Sequence, residues 1–543
     1  MRNLNFDFII VGAGSAGCVL ANELSADASC EVLLLEAGPM DTGLFIHMPA
    51  GVYRVFRETS LNWNYFTASE KALNERAIYT PRGRVVGGSS SINSMVYMRG
   101  HRIDYDRWAK DFDLAEWEFK NCLPYFIAGE NYKTASNSWR GKKGRLEVKQ
   151  ADYPDPLFDA FLEAGKQSGQ GYSDDLNGSN PEGLARLDST IWNGKRCSAA
   201  TAHLKPALGR PNLTLFTLAQ TNKILINNTN AEGVVFTHST GTFTAYAQQE
   251  VLICCGSINS PTLLMKSGIG PAKHLQECNI TTLLNAPGVG KNLQDHAKIR
   301  LQFASQKYLP FHAINKPINK MKSGINWMLN GRGMASSNIW EAGGFIRSND
   351  DVEHPNLQYH FGPLGFSIKN GKIKVEQAFS LNVDQMRPKS TGYIRLNPSA
   401  VNNHPIINFN YMKEICDIRE MIEAVKKARE LVSQSAFDEF RGVEMTPGND
   451  FQSDKDIEKM LRVNIETAYH PSCTCRMGYD DDAVTDSQFR VHGVNRLRVV
   501  DASAMPRIVS ANLNAPVQMM AARAADFILK RPQLRQIELQ YTI

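Results

Sequence analysis

The chain has 543 residues, 43% of them hydrophobic and 21% charged, the composition of a folded globular protein long enough for more than one core. Its 60 basic and 55 acidic residues leave a net charge of only +5, which gives no electrostatic reason to bind nucleic acid. No apolar run approaches the ~18 residues of a membrane-spanning helix, and the 10 cysteines are scattered and read as reduced thiols.

The first element is an apolar, β-prone run, Phe6 to Val11 (FDFIIV). Gly12, Gly14 and Gly17 follow with the spacing G-x-G-x-x-G. A helix-compatible run comes next, Cys18 to Ser25, then a second apolar strand, Val32 to Leu35, ending at Glu36. A strand, a glycine turn, a helix and a parallel strand within ~30 residues form the dinucleotide-binding βαβ pattern. Gly12 turns the chain, Gly14 admits a pyrophosphate against the backbone, and Gly17 lets helix and strand close. The helix N-terminus supplies free N–H groups and a partial positive charge. Glu36, 19 residues past Gly17, is placed to accept hydrogen bonds from ribose hydroxyls and would repel a 2′-phosphate, which argues against NADP. The alternative is a glycine turn in an α/β domain with no nucleotide. A motif that begins by residue 12 also leads us to expect no signal peptide and a cytoplasmic location, with peripheral membrane contact at most.

Residues 39–80 read as loop with short strands and contain Trp63. Residues 81–100, PRGRVVGGSSSINSMVYMRG, are rich in small groups. Such a segment passes close to a flat ligand and donates backbone and hydroxyl hydrogen bonds. Helices are expected over 104–126, 154–168 and 196–208, with a polar crossing at 128–150. Two strands are expected over 212–235. A buried strand, 250–256, leads into a leucine-rich helix ending near Gly268, a second strand–turn–helix. From about 304 to 462 strands and helices mix as in an α+β cap. The tail holds a strand at 497–500, then Asp501, and an amphipathic helix over 516–529. Pro516 suits the first turn of that helix and Asn514 its cap. His470, in AYHPSCTCRMG, reads either as a catalytic base or as a structural histidine in a turn. Cys473 and Cys475 have no second cysteine pair nearby, so no metal site is expected.

Four stretches together resemble the glucose–methanol–choline (GMC) oxidoreductase family over nearly the whole chain. They are FDFIIVGAGSAG…LLLEAG, GRVVGGSSSINSMVYMRG, GSINSPTLLMKSGIG with GVGKNLQDH, and YHPSCTCRMG…LRVVDASAMP…NLNAP. The resemblance implies FAD in an α/β Rossmann-like domain, 1–150, 206–303 and 463–543, with a discontinuous α+β substrate-binding cap, 151–205 and 304–462. It implies that Gly12, Gly14, Ser15, Ala16, Gly17, Glu36 and Ala37 hold the ADP half. Gly87, Gly88, Ser90 and Asn93 would lie along the pyrophosphate and flavin, Asp501 and Ala502 against the pyrophosphate–ribityl part, and the Asn514–Pro516 turn at the pyrimidine ring. Some relatives attach FAD through a histidine where this chain has Ile92, so the flavin is expected to be non-covalent.

The same resemblance makes His470 the base and Asn512 its partner on the alcohol oxygen, with hydride passing to flavin N5. The cap stretches ASSNIWEAGGFIRS and PNLQYHFGP are most similar to choline dehydrogenases, so the expected reaction is choline to betaine aldehyde. A quaternary ammonium needs aromatic faces and a carboxylate. Trp63, Tyr469 and Glu341 are the expected groups. The runner-up is a dehydrogenase of uncharged primary alcohols, and the alternative from another class is a flavin-binding protein without redox turnover. The electron acceptor is expected to be oxygen or a quinone-type molecule.

Overall fold

The computed structural model describes residues 2–134, 137–369 and 372–539. Its first sheet has seven strands in the order Leu213–Phe216, Val32–Leu35, Arg2–Val11, Gly241–Ile253, Asn230–His238 and Gln220–Asn227, with Leu497–Val499 also pairing to Gly241–Ile253. The strands around Arg2–Val11 are parallel, and the last two add as an antiparallel edge. Val32–Leu35 is buried along its whole length, as the unbroken apolar run of an inner parallel strand requires. Helix Ser15–Leu24 follows the first strand. It can close only because residue 17 is glycine: a Cβ there would stand 1.9 Å from Gly12 O.

The second sheet is antiparallel, in the order Arg441–Thr446, Ala297–Ser305, Ala378–Gln385, Leu357–Gly362, Ala342–Ile346 and Gly183–Arg186, with Glu466–Thr467 pairing to Ala297–Ser305. Alternation divides it cleanly. Ile299, Leu301, Val383, Leu381, Leu357, Tyr359 and Phe361 are buried on one face, against helices Pro156–Gln167 and Ile415–Val432. The other face carries the cross-strand rows Lys298–Asp384–Gln358 and Arg300–Asn382–His360. This polar face is turned toward the ends of the first sheet's strands, where His470 and Asn512 sit.

Four expectations differ from the structure, the first being the helix over 104–126, which is two helices, Arg102–Asp111 and Phe119–Gly129. The domain limits placed 297–303 and 466–467 with the first sheet, but both lie in the second, because AKIRLQFAS alternates polar and apolar along an antiparallel strand. Residues 212–235 hold parts of three strands rather than two. The stretch 196–208 is not one helix: it has a short strand, Lys195–Arg196, a wide turn, Ala200–Leu204, and one turn of α-helix, Lys205–Ala207.

Candidate active site

A cavity of about 800 Å³ runs between the two sheets from the glycine turn to His470 and Asn512. Its floor at one end is bare backbone. A Cβ on Gly88 would stand 2.7 Å from Gly14 Cα, and φ at Gly88 is 53°, so two chain segments meet there with no side chain between them. Helices Ser15–Leu24 and Asn514–Ile528 both begin at the cavity wall. Their free N–H groups favour an anionic ligand. Glu36 accepts hydrogen bonds from Ala13 N at 3.0 Å and Gly38 N at 2.8 Å, and burial pushes its carboxyl up to about 7. An elongated cavity with a backbone cradle, two helix starts and one acid at the far end fits FAD.

Of the residues expected to hold that cofactor, Gly12, Gly14, Ser15, Ala16, Glu36, Ala37, Gly88, Ser90, Asn93, Asp501, Ala502 and Asn514 line the cavity. Gly17, Gly87 and Pro516 lie behind its wall. Two roles change. Asn514 does not cap its own helix: its Oδ1 accepts from Ser15 Oγ at 2.9 Å and from Gln518 Nε2 at 3.2 Å, tying the first and last helices together. Asp501 borders the cavity, but its oxygens are taken by Ser503 N, Ser503 Oγ, Gly256 N and Ser260 Oγ at 2.5–2.8 Å. It fixes the loop and leaves ligand contact to the backbone around it. The sequence reading missed Arg196. Its buried guanidinium donates to the carbonyls of Ile46, Ser90 and Asn93 and to Asn93 Oδ1. Among the described residues it has no carboxylate partner, and burial lowers its pKa to about 9. It places a positive charge directly behind the Ser90–Asn93 segment.

At the other end the hydrogen bonds run one way. Gln358 Nε2 donates to Asn512 Oδ1 at 3.1 Å. The amide nitrogen of Asn512 therefore faces His470 Nε2, 3.1 Å away, and donates to it. A ring accepting at Nε2 carries its proton on Nδ1, and that N–H donates to His296 Nδ1 at 2.9 Å. His470 is buried, and burial, His296, His360, Arg82 and Lys298 hold its pKa well below the usual histidine range. The ring is neutral, with its lone pair at Nε2. Its backbone N–H donates to Asp295 Oδ1 at 2.6 Å, while Asp295 Oδ2 accepts from the hydroxyls of Tyr411 and Thr467. Tyr469 just before it has φ 71°, a left-handed conformation that costs ~1–3 kcal/mol in a bulky residue. Arg82 Nη2 donating to Tyr469 O, and Tyr469 N donating to Thr467 Oγ1, each at 2.7 Å, hold it there. His296, Gln358 and Asp295 were not singled out from the sequence, although His296 and Asp295 end the quoted stretch GVGKNLQDH.

The expected cation-binding trio is not brought together. Glu341 does not line the cavity: it is buried, pairs with Arg186 at 2.8 Å and accepts from Tyr153 N at 2.8 Å. An acid beside a tryptophan in sequence looked free, but its partner comes from a neighbouring strand of the cap. Trp63 lines the cavity, stacked on Tyr65 at 6.0 Å, with the Arg84 guanidinium 5.1 Å from the centre of its ring. Tyr469 stands beside His470, with Phe56 edge-on at 4.8 Å and the ammonium of Lys298 4.6 Å from the ring centre.

Patterns of the GMC oxidoreductase family match residues 6–298 and 388–521. The chain belongs to the GMC oxidoreductase family. It is 44% identical over 548 residues to an oxygen-dependent choline dehydrogenase of Burkholderia thailandensis, covering 100% of this chain and 97% of that one. A protein of the same name from Paraburkholderia phymatum is 43% identical over 547 residues, covering 100% and 96%. Among solved structures, pyridoxine 4-oxidase from Mesorbium loti superposes with a TM-score of 0.87 at 29% identity, covering 97% of this chain and 100% of that one. A formate oxidase superposes at 0.91 and 25%, covering 98% and 99%. The protein is thus an FAD-dependent GMC enzyme acting on CH–OH groups, which sets aside the non-redox alternative. Its FAD is non-covalent: Ile92, buried at the cavity wall, offers no nucleophile. Acid precipitation is expected to release all the flavin into the supernatant, and colour retained in the pellet would contradict this. No helix among the described residues is long and apolar enough to cross a membrane.

Proposed function

We propose that this GMC enzyme oxidises a primary alcohol to its aldehyde at the His470 end of the cavity, with His470 Nε2 as the base. The observation that carries the reading is the acceptor–donor pair, His470 Nε2 and Asn512 Nδ2, 3.1 Å apart. An alcohol hydroxyl is about as weak an acid as water, pKa ~15.7, so its proton must be taken before hydride leaves the carbon easily. Nε2 takes that proton while Asn512 Nδ2–H holds the oxygen. The Nδ1–H bond to His296 stays as it is, so the ring changes charge without changing tautomer. Arg82 and Lys298, the cations that depress the His470 pKa, also favour a developing alkoxide. FAD supplies the acceptor for the hydride of the carbinol carbon.

Two substrate readings each have one observation behind them. Choline is supported by the relatives, which carry that substrate in their names at 44% identity along the whole chain. An alcohol with no cationic group is supported by Lys298. Its ammonium already occupies the neighbourhood of the Tyr469 ring, and Glu466, the acid nearest to it, is shared with Arg300 at 3.6 and 3.4 Å. Asp384, opposite Lys298 in the sheet, is paired with His360 at 3.1 Å. Lys298 is paired with Glu466 and does not line the cavity, so the full-length likeness to the choline dehydrogenases favours the first reading. The test compares choline with its uncharged isostere 3,3-dimethylbutan-1-ol. On the first reading the wild type shows the higher kcat/KM on choline; on the second it shows the higher value on the isostere, and Lys298→Gln raises kcat/KM for choline relative to the isostere by about tenfold, ~1.4 kcal/mol. A wild type that prefers choline, with Lys298→Gln leaving that preference intact, assigns choline. For the acceptor, the relatives' description as oxygen-dependent supports oxygen over a quinone. The free cysteines support a reducing, cytoplasmic location.

A further inference from the structure

Helix Pro317–Asn330 in the cap is held by one buried side chain, Trp327, whose indole N–H donates to Gly194 O. The opposite side carries Ile318, Met321, Ile325, Met328 and Leu329, spaced to form one stripe along the helix. All five are more than two-fifths exposed, and Leu329 reaches 78%. Scattered exposed apolar residues are ordinary, but five on one helical face are not. The charge along this segment has one sign. From Leu309 to Trp340 the sequence holds Lys316, Lys320, Lys322 and Arg332 and no Asp or Glu. All four are exposed and make no ion pair among the described residues.

We propose that this helix is a docking element for an anionic lipid surface. It would lie in the plane of the interface, with the stripe at the boundary of headgroups and acyl chains and the lysines on the phosphates. Charge complementarity chooses this occupant over a second copy of the chain. A two-fold contact would set the same lysines against one another, with no acid between Leu309 and Trp340 to offset them.

The test is co-sedimentation of the holoenzyme with vesicles of phosphatidylcholine and phosphatidylglycerol in equal parts, against vesicles of phosphatidylcholine alone. The protein should partition to the anionic vesicles roughly tenfold better, and added salt should weaken the binding. Replacing Met328→Gln and Leu329→Gln together should weaken it by about tenfold, with flavin content and turnover in solution unchanged. Absence from the anionic vesicles, equal binding to both kinds, or wild-type binding by the double variant would overturn the proposal. So would a wild type that elutes as a dimer and a double variant that elutes as a monomer, since the stripe would then cover a second copy.

Discussion

His470→Ala should keep its full complement of flavin and lose turnover by a factor of roughly 10²–10⁴, the usual worth of a positioned general base. The flavin is expected to stay because the His470 side chain bonds to Asn512 and His296 and to none of the residues of the glycine cradle. The loss is expected to fall on kcat, because hydride leaves the carbon easily only once the hydroxyl proton has been taken. His470→Gln separates chemistry from packing. The amide can still reach Asn512 but cannot hold a proton at neutral pH, so it should be as slow as the alanine variant. External imidazole should restore part of the rate to His470→Ala, where the hole is vacant, and none to His470→Gln. Near-normal kcat in either variant would remove His470 from the reaction.

Gly88→Ala should cost the protein its cofactor while leaving it folded. The added Cβ must go where Gly14 Cα already stands, 2.7 Å away, on a residue with φ 53°. Holding alanine in that left-handed conformation costs ~1–2 kcal/mol, and the two backbones must also separate. The contact joins the glycine turn to the short turn Gly88–Ser91, neither of them part of a sheet, so the strain falls on the pyrophosphate cradle and not within the sheets. Purified Gly88→Ala should carry roughly a tenth or less of the wild-type flavin, a loss of ~1.4 kcal/mol or more in binding. Its far-ultraviolet circular dichroism should match that of the wild type. A normal flavin-to-protein ratio would show that the Gly14–Gly88 contact is not part of the cofactor site.

What was legible in the sequence was local. Strand Val32–Leu35 announced itself as four apolar residues ending at an acid, and the contact of Gly17 with Gly12 was encoded in six residues. Those signals survive without tertiary information because each is a constraint between near neighbours. The active-site hydrogen bonds are different in kind. His296 and His470 are 174 positions apart, and Gln358 and Asn512 are 154 apart. The tautomer of the base follows from both contacts at once, so the role of His470 was readable as a class and its chemistry was not. The same distance explains the misplacements. Asn514 looked like a helix cap until Ser15, 499 positions earlier, claimed its oxygen. Glu341 looked free until Arg186, 155 positions earlier, paired with it. The polar rows of the cap sheet are legible in AKIRLQFAS, which alternates plainly; the change of pattern near residue 304 falls at the end of that strand and does not mark the boundary.

The central claim is that His470 Nε2 removes the hydroxyl proton of an alcohol bound beside FAD. Its most direct test is to mix the holoenzyme anaerobically with a primary alcohol and follow the yellow flavin absorbance in a single turnover, for the wild type and for His470→Ala at equal flavin content. The predicted result is rapid bleaching in the wild type, slowed by roughly 10²-fold or more in the variant. A wild type that no primary alcohol bleaches, or a variant that bleaches at the wild-type rate, would contradict the claim.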